Sequence, residues 1–177
     1  MIRRLKLINW ARIQHDGQKI KETGAPYFAH LLAVANRVAD VSPLTYEIGL
    51  CHDLYEKTEV NSDILEAQLK EFGYSLDESQ HISECVTELT RHFTKANSPL
   101  PKKLRKELED ERLIYISADA QTVKYADLSY NADWMMTHDR HHAKDYLERH
   151  LELIEQMTAG DGGLRNEVLG QFQNLLN

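Results

Sequence analysis

The stretch Ile48-Gly49-Leu50-Cys51-His52-Asp53-Leu54-Tyr55-Glu56 sets a histidine and an aspartate side by side inside an apolar run. Leu44, Ile48, Cys51 and Tyr55 recur at helical spacing behind a Ser42-Pro43 start, which predicts a helix through this stretch. A histidine and a carboxylate in buried helix sequence are costly unless something satisfies them. A divalent metal does so, with imidazole nitrogen and carboxylate oxygen as ligands. A metal needs more than two ligands. His30, within Tyr27-Phe28-Ala29-His30-Leu31-Leu32, sits in the same apolar setting. So does Asp127, within Val123-Lys124-Tyr125-Ala126-Asp127-Leu128. Taken singly, each also reads as a core residue with a hydrogen-bonded partner.

The rest of the chain extends the helical pattern. Pro26 suits a first helical position, and Phe28, Leu31, Leu32, Ala35 and Val38 follow at helical spacing. Asn61 or Ser62 caps a short helix that stops at Gly73. Ser75-x-x-Glu78 is a capping box ahead of the stripe Ile82, Cys85, Val86, Leu89 and Phe93. Residues 97–101 form a proline-broken loop. A helix then runs through Lys102, Lys103, Arg105 and Lys106 to about Ala118, and another covers roughly Ala120 to Met136. Ala143, Leu147, His150, Leu151, Ile154 and Met157 form a further stripe. The glycine-rich loop at 159–163 precedes a last helix carrying Leu164, Val168, Phe172 and Leu175. No segment alternates as a strand would. The expectation is an all-α bundle of about seven to nine helices. Residues 1–158 form the main domain, and 159–177 a loop and helix packed on it or on a partner.

Composition narrows the function. At 177 residues, 42% hydrophobic and 28% charged, the chain has ordinary globular make-up and enough length for a core. Two cysteines, Cys51 and Cys85, exclude a disulfide scaffold and a four-cysteine zinc site. The first residues, MIRRLKLINW, carry charge but no apolar stretch of signal-peptide length, and no run is long enough to span a membrane. A cytoplasmic protein is expected. The formal net charge of −7 disfavours a nucleic-acid polymer as partner. Basic residues gather in two places, residues 1–24 (Arg3, Arg4, Lys6, Arg12, Lys19, Lys21) and residues 102–106. Either group suits a small phosphorylated ligand, or else a solvated face.

His30, His52-Asp53 and Asp127 together, each embedded in apolar helix, resemble the HD superfamily of metal-dependent phosphohydrolases. The flanking words carry the match further. Gly24-Ala25-Pro26-Tyr27-Phe28-Ala29-His30, Cys51-His52-Asp53-Leu54-Tyr55-Glu56 and Val123-Lys124-Tyr125-Ala126-Asp127-Leu128-Ser129-Tyr130-Asn131 are similar to the hydrolase domain of the RelA/SpoT-type alarmone enzymes and the small alarmone hydrolases. His15-Asp16-Gly17-Gln18-Lys19-Ile20-Lys21 resembles that family's basic nucleotide-binding segment. The resemblance covers roughly residues 5–135.

It implies an HD-domain helical bundle holding one divalent metal, commonly Mn2+, that removes the 3′-pyrophosphate from ppGpp or pppGpp. By position, His30, His52, Asp53 and Asp127 are the implied metal ligands. Glu56 is implied to orient or deprotonate the attacking water, and on a continuous helix it shares the face of His52 and Asp53. Asn131 is implied, by the same resemblance, to help hold the substrate and the site. Lys19, Lys21, Lys57, Lys124 and Tyr130 are candidates for substrate binding, with Arg91 weaker. Lys57 stands where the family usually has a second acidic residue, and Ile20 interrupts a normally unbroken basic run. Three readings stay open: an alarmone hydrolase, an HD hydrolase of another small phosphorylated compound, and a non-catalytic metal- and nucleotide-binding module. A synthetase domain is not expected. The polar His138-Asp139-Arg140-His141-His142 reads as a solvated face, and Cys51 reads as core rather than nucleophile. Oligomeric state stays open.

Overall fold

Ser75 and Glu78 cap one another as the sequence pattern requires. The Ser75 N–H donates to Glu78 at 2.8 Å, and the Glu78 N–H donates to the Ser75 hydroxyl at 3.2 Å. Asn61 caps the preceding helix by accepting from the Ile64 N–H at 3.0 Å. That helix ends at Gly73, whose φ of 97° is left-handed and needs a glycine. The computed structural model describes residues 2–177. Its helices are α1 Ile2–Gln14, α2 Phe28–Arg37, α3 Thr45–Cys51, α4 Leu54–Lys57, α5 Ser62–Phe72, α6 Leu76–Leu89, α7 Lys102–Leu113, α8 Ala118–His138, α9 Arg140–Gln156 and α10 Gly162–Leu176. The all-α class is as expected. The expected seven to nine helices become, among the described residues, nine of seven residues or more, plus the one-turn α4. Among the described residues, extended pairing is confined to one isolated bridge between Lys19 and Pro26. No helix among them is long and apolar enough to cross a membrane.

The chain divides into two compact units, one ending at Thr87 and one spanning Glu88–Asn177. In the first, α2 packs on α3, and α1 packs on α3 and α5. Leu7, Leu31, Ile48, Leu50, Leu65 and Leu69 are fully buried there, each stabilising by roughly 1.5–3 kcal/mol. The α2–α3 contact is unusually close at Gly49. A Cβ on Gly49 would meet the Ala35 Cα at 3.0 Å and the Ala35 N at 3.2 Å. A glycine at this position therefore lets two backbones approach.

Two basic residues of the N-terminal group serve this unit internally. Arg3 grips Glu78 with two bonds of 2.8 Å. Arg4 grips the buried Glu47 at 3.0 and 3.3 Å, and Tyr74 also donates to Glu47 at 3.1 Å. The expectation that Arg3 and Arg4 hold a phosphorylated ligand is corrected. A buried carboxylate without these partners would be strongly destabilising, and nothing in the local sequence announces it.

In the second unit, α8, α9 and α10 pack mutually. The buried Tyr125 donates to the Met157 carbonyl at 2.6 Å, and Gln121 accepts from the Ala159 and Gly160 N–H groups at 2.8 and 3.1 Å. These bonds fasten the 157–161 loop to α8. Asp161 then caps α10 through the Leu164 N–H at 2.7 Å. Helix α7 stops at Leu113, short of the expected Ala118. The Ser117 N–H and hydroxyl are bound by Glu88, which holds the connection in a turn.

Candidate metal centre

The sequence predicts an unbroken helix through His52 and Asp53, but the chain breaks there. Helix α3 ends at Cys51, and α4 begins at Leu54 after Asp53 at φ −106°, ψ 3°. The His52 ring explains the break: its Nδ1 donates to the Gly49 carbonyl at 2.7 Å. That carbonyl is the acceptor a continuing helix would assign to the Asp53 N–H. A side chain competing for a helix carbonyl favours termination. Beyond the break, the Asp53 carbonyl accepts from the Glu56 and Lys57 N–H groups at 3.2 and 3.0 Å. Glu56, half-buried on α4, thus stays within one turn of the His52-Asp53 pair.

A second correction concerns Pro26. It lies two residues before α2 and pairs with Lys19, instead of opening the helix. Its carbonyl accepts from the Ala29 N–H at 3.0 Å, so it forms the entry turn. That turn delivers His30 to the first buried face of α2.

The close approach at Gly49 brings α2's histidine against the end of α3. The His30 and His52 ring centroids are 5.2 Å apart at 74°, and both residues are 4% exposed. His52 Nε2 lies 3.6 Å from Asp53 Oδ2. One donor atom from each of His30, His52 and Asp53 falls within 4.8 Å of the others. Two ligands roughly 2.1 Å from one metal stand at most roughly 4.2 Å apart, so a small contraction closes this group on an ion. The chemistry also fits. With Nδ1–H engaged by the Gly49 carbonyl, His52 presents the bare Nε2 lone pair that a metal requires. Two imidazoles and a carboxylate form a mixed set suited to a metal of intermediate hardness.

Asp127 belongs to the second unit and is buried on α8. It accepts from Lys124 Nζ at 2.8 Å and from Asn131 Nδ2 at 2.7 Å. Lys124 and Asn131 thus hold the carboxylate from one turn on either side. Tyr130 is half-buried on the same helix. Lys19 and Lys21 are exposed in the turn between α1 and α2. Lys57, also exposed, ends α4 and stands 5.7 Å from the Tyr27 ring centroid. Arg91 is exposed beyond α6.

Several residues that the sequence did not single out shape the first unit's cluster. The Tyr27 hydroxyl donates to Asp53 Oδ2. His15 is buried and its Nδ1 meets Gln18 Oε1 at 2.9 Å, while Gln18 Nε2 donates to the Lys57 carbonyl at 2.6 Å. Burial holds the His15 pKa below the ordinary imidazole value. This pair ties the lysine-bearing turn to α4. No periodicity reveals such contacts. Cys51 is fully buried, and burial pushes its thiol pKa up, away from nucleophilic reactivity. His138 and His142 are exposed, and His142 pairs with Asp139 at 2.9 Å, as a solvated face should.

Compared with models of known protein families and with curated proteins, the sequence gives no match to either. Among solved structures it matches that of a metazoan ortholog of SpoT, a protein that hydrolyzes ppGpp and plays a role in starvation responses. The likeness has a TM-score of 0.79 and covers 100% of this chain and 98% of that one, at 18% sequence identity. End to end, then, this chain has the fold of that SpoT ortholog.

Proposed function

We propose that this chain is a metal-dependent phosphohydrolase acting on alarmone-like nucleotides, releasing pyrophosphate from the 3′ position of ppGpp or pppGpp. The observation that carries this reading is the convergence of His30, His52 and Asp53, within a full-length likeness to the fold of a ppGpp hydrolase. His30, His52 and Asp53 are the proposed ligands of one divalent cation, Mn2+ by preference, and the sequence motif around Asp127 makes it the fourth. When bound, such a cation lowers the pKa of water and offsets phosphate charge.

The protein's own residues then divide the work. Glu56 accepts the proton of the attacking water at its carboxylate. The water oxygen bonds to phosphorus as the bond to the ribose 3′ oxygen breaks; that oxygen keeps the electron pair and takes up a proton to become the 3′-hydroxyl, and pyrophosphate is released. Asn131 and Lys124 hold the Asp127 carboxylate in place. Lys19, Lys21 and Lys57 receive phosphate oxygens, and Tyr130 walls the ligand. The catalytic module is proposed to run over residues 1–158.

A second reading, hydrolysis of another small phosphorylated compound, is favoured by one observation: Lys57 is a base where the alarmone family usually has an acid. A panel of ppGpp, pppGpp, adenosine analogues and ordinary nucleotides, assayed with Mn2+ and with chelator, separates the two. Mn2+-dependent pyrophosphate release confined to the guanosine alarmones is expected. Orthophosphate release from a simple nucleotide would favour the second reading, and no release from any member would overturn both. Glu56→Gln should retain the metal and lose the rate.

A further inference from the structure

Tyr27 lies 26 residues before Asp53, yet its hydroxyl donates to Asp53 Oδ2. That oxygen is the one 3.6 Å from His52 Nε2. The Tyr27 ring is held on several sides. Its centroid is 5.5 Å from that of His30 at 53°, and 5.8 Å from that of the buried His15. The Lys57 ammonium stands 5.7 Å from the ring centroid. The ring is therefore packed between these neighbours, with its hydroxyl directed at Asp53.

The three grouped residues differ in how they are oriented. His52 is set by the Gly49 carbonyl through its Nδ1. His30 is buried on α2. Asp53 lies in the break between α3 and α4 and is half-buried. A carboxylate's terminal torsion is broad, so burial alone does not select which oxygen faces the histidines. The hydrogen bond from the Tyr27 phenol does select it. A tyrosine serving only as core filling would need no carboxylate as its acceptor.

We propose that Tyr27 is a positioning residue of the metal centre, fixing the rotation of the Asp53 carboxylate toward His52. The inference rests on the metal-site reading above. Tyr27 makes no bond to the cation; it acts through Asp53, as outer partners of ligating carboxylates do.

The test compares the full chain with Tyr27→Phe, which keeps the ring and removes the hydroxyl. Both are stripped with chelator, titrated with Mn2+ by calorimetry, and examined as Mn2+-loaded proteins by electron paramagnetic resonance. The variant is expected to keep its helical circular dichroism, bind Mn2+ about 10- to 100-fold more weakly, and give an altered spectrum. Equal affinity with an unchanged spectrum would overturn the positioning role and leave the metal site standing. A wild-type chain that takes up no Mn2+ would overturn the metal site, and this proposal with it. Should Tyr27→Phe not fold, the wild type decides: with the eight tyrosines labelled at Cζ, Zn2+ should move a tyrosine signal. Eight unmoved signals would overturn the proposal.

Discussion

Asp127 accepts from Lys124 at 2.8 Å and from Asn131 at 2.7 Å, one turn before it and one turn after it on the same helix. Asp53 instead takes the hydroxyl of Tyr27 from 26 residues away, and stands next to His52 where the helix is broken. Both of these bonds to the first carboxylate follow from helix geometry, because positions three and four apart face one another. The bond to the second comes from a separate part of the chain, the entry to α2, and α2 meets α3 closely at Gly49. A site built like the first tolerates shifts of its element. A site built like the second depends on the packing around it, and its geometry is correspondingly sensitive to distant change.

The largest effect should come from the ligand itself. Asp53→Ala is expected to weaken Mn2+ binding by more than the roughly 10- to 100-fold ascribed to loss of an outer partner. Metal content like the wild type's, measured after dialysis, would remove Asp53 from the ligand set. Gly49→Ala tests the packing dependence directly. Its Cβ would sit 3.0 Å from the Ala35 Cα and 3.3 Å from the Val38 side chain. Backbone cannot swing aside as a side-chain tip can, so α2 and α3 must separate. We expect a loss of about 1–3 kcal/mol in denaturant unfolding, together with weaker Mn2+ binding as His30 and His52 part. Unchanged stability would show that the register is not what holds the cluster.

Acid should act on the second unit through His150, a buried residue of α9. Burial, then the charges of Arg149 and Lys124, lower its pKa from 6.5 to about 3, against the opposing Tyr146 carbonyl and Asp127. The unfolded chain therefore binds this proton first as pH falls. The stability contribution is full above the ordinary value of 6.5 and is lost on acidification toward about 3. The slope from this group is at most about 1.4 kcal/mol per pH unit. Urea unfolding of His150→Gln across that window should be flatter than that of the wild type; parallel profiles would exclude His150 as a source. The smallest change is expected for Lys124→Gln. Its ion pair with Asp127 is partly exposed and lies within one helix, so about 0.5–1 kcal/mol is at stake. A larger loss, by the same unfolding measurement, would mean that Asn131 does not hold Asp127 by itself.

What could be read without the structure follows the same division. The Ser75–Glu78 capping box, the Asn61 cap and the Gly73 stop are contacts within a few residues, and all three formed as the local pattern requires. The helix at residues 45–57 was only partly legible. Apolar spacing marks its buried face, but it does not report that the His52 ring takes the Gly49 carbonyl and ends the helix. Arg3 and Arg4 looked like free positive charge, because their partners Glu78 and Glu47 lie 75 and 43 residues away.

The sequence by itself determined the all-α class, the caps, the apolar faces and the local setting of Asp127. Each depends on residues three or four apart, and helix geometry brings such residues together whatever surrounds them. Tertiary structure decided that His30, His52 and Asp53 meet, that Tyr27 reaches Asp53, and that Gly49 admits the backbone of α2. Those contacts join separate elements, and their distances are set by how the elements pack, which spacing along the chain does not encode.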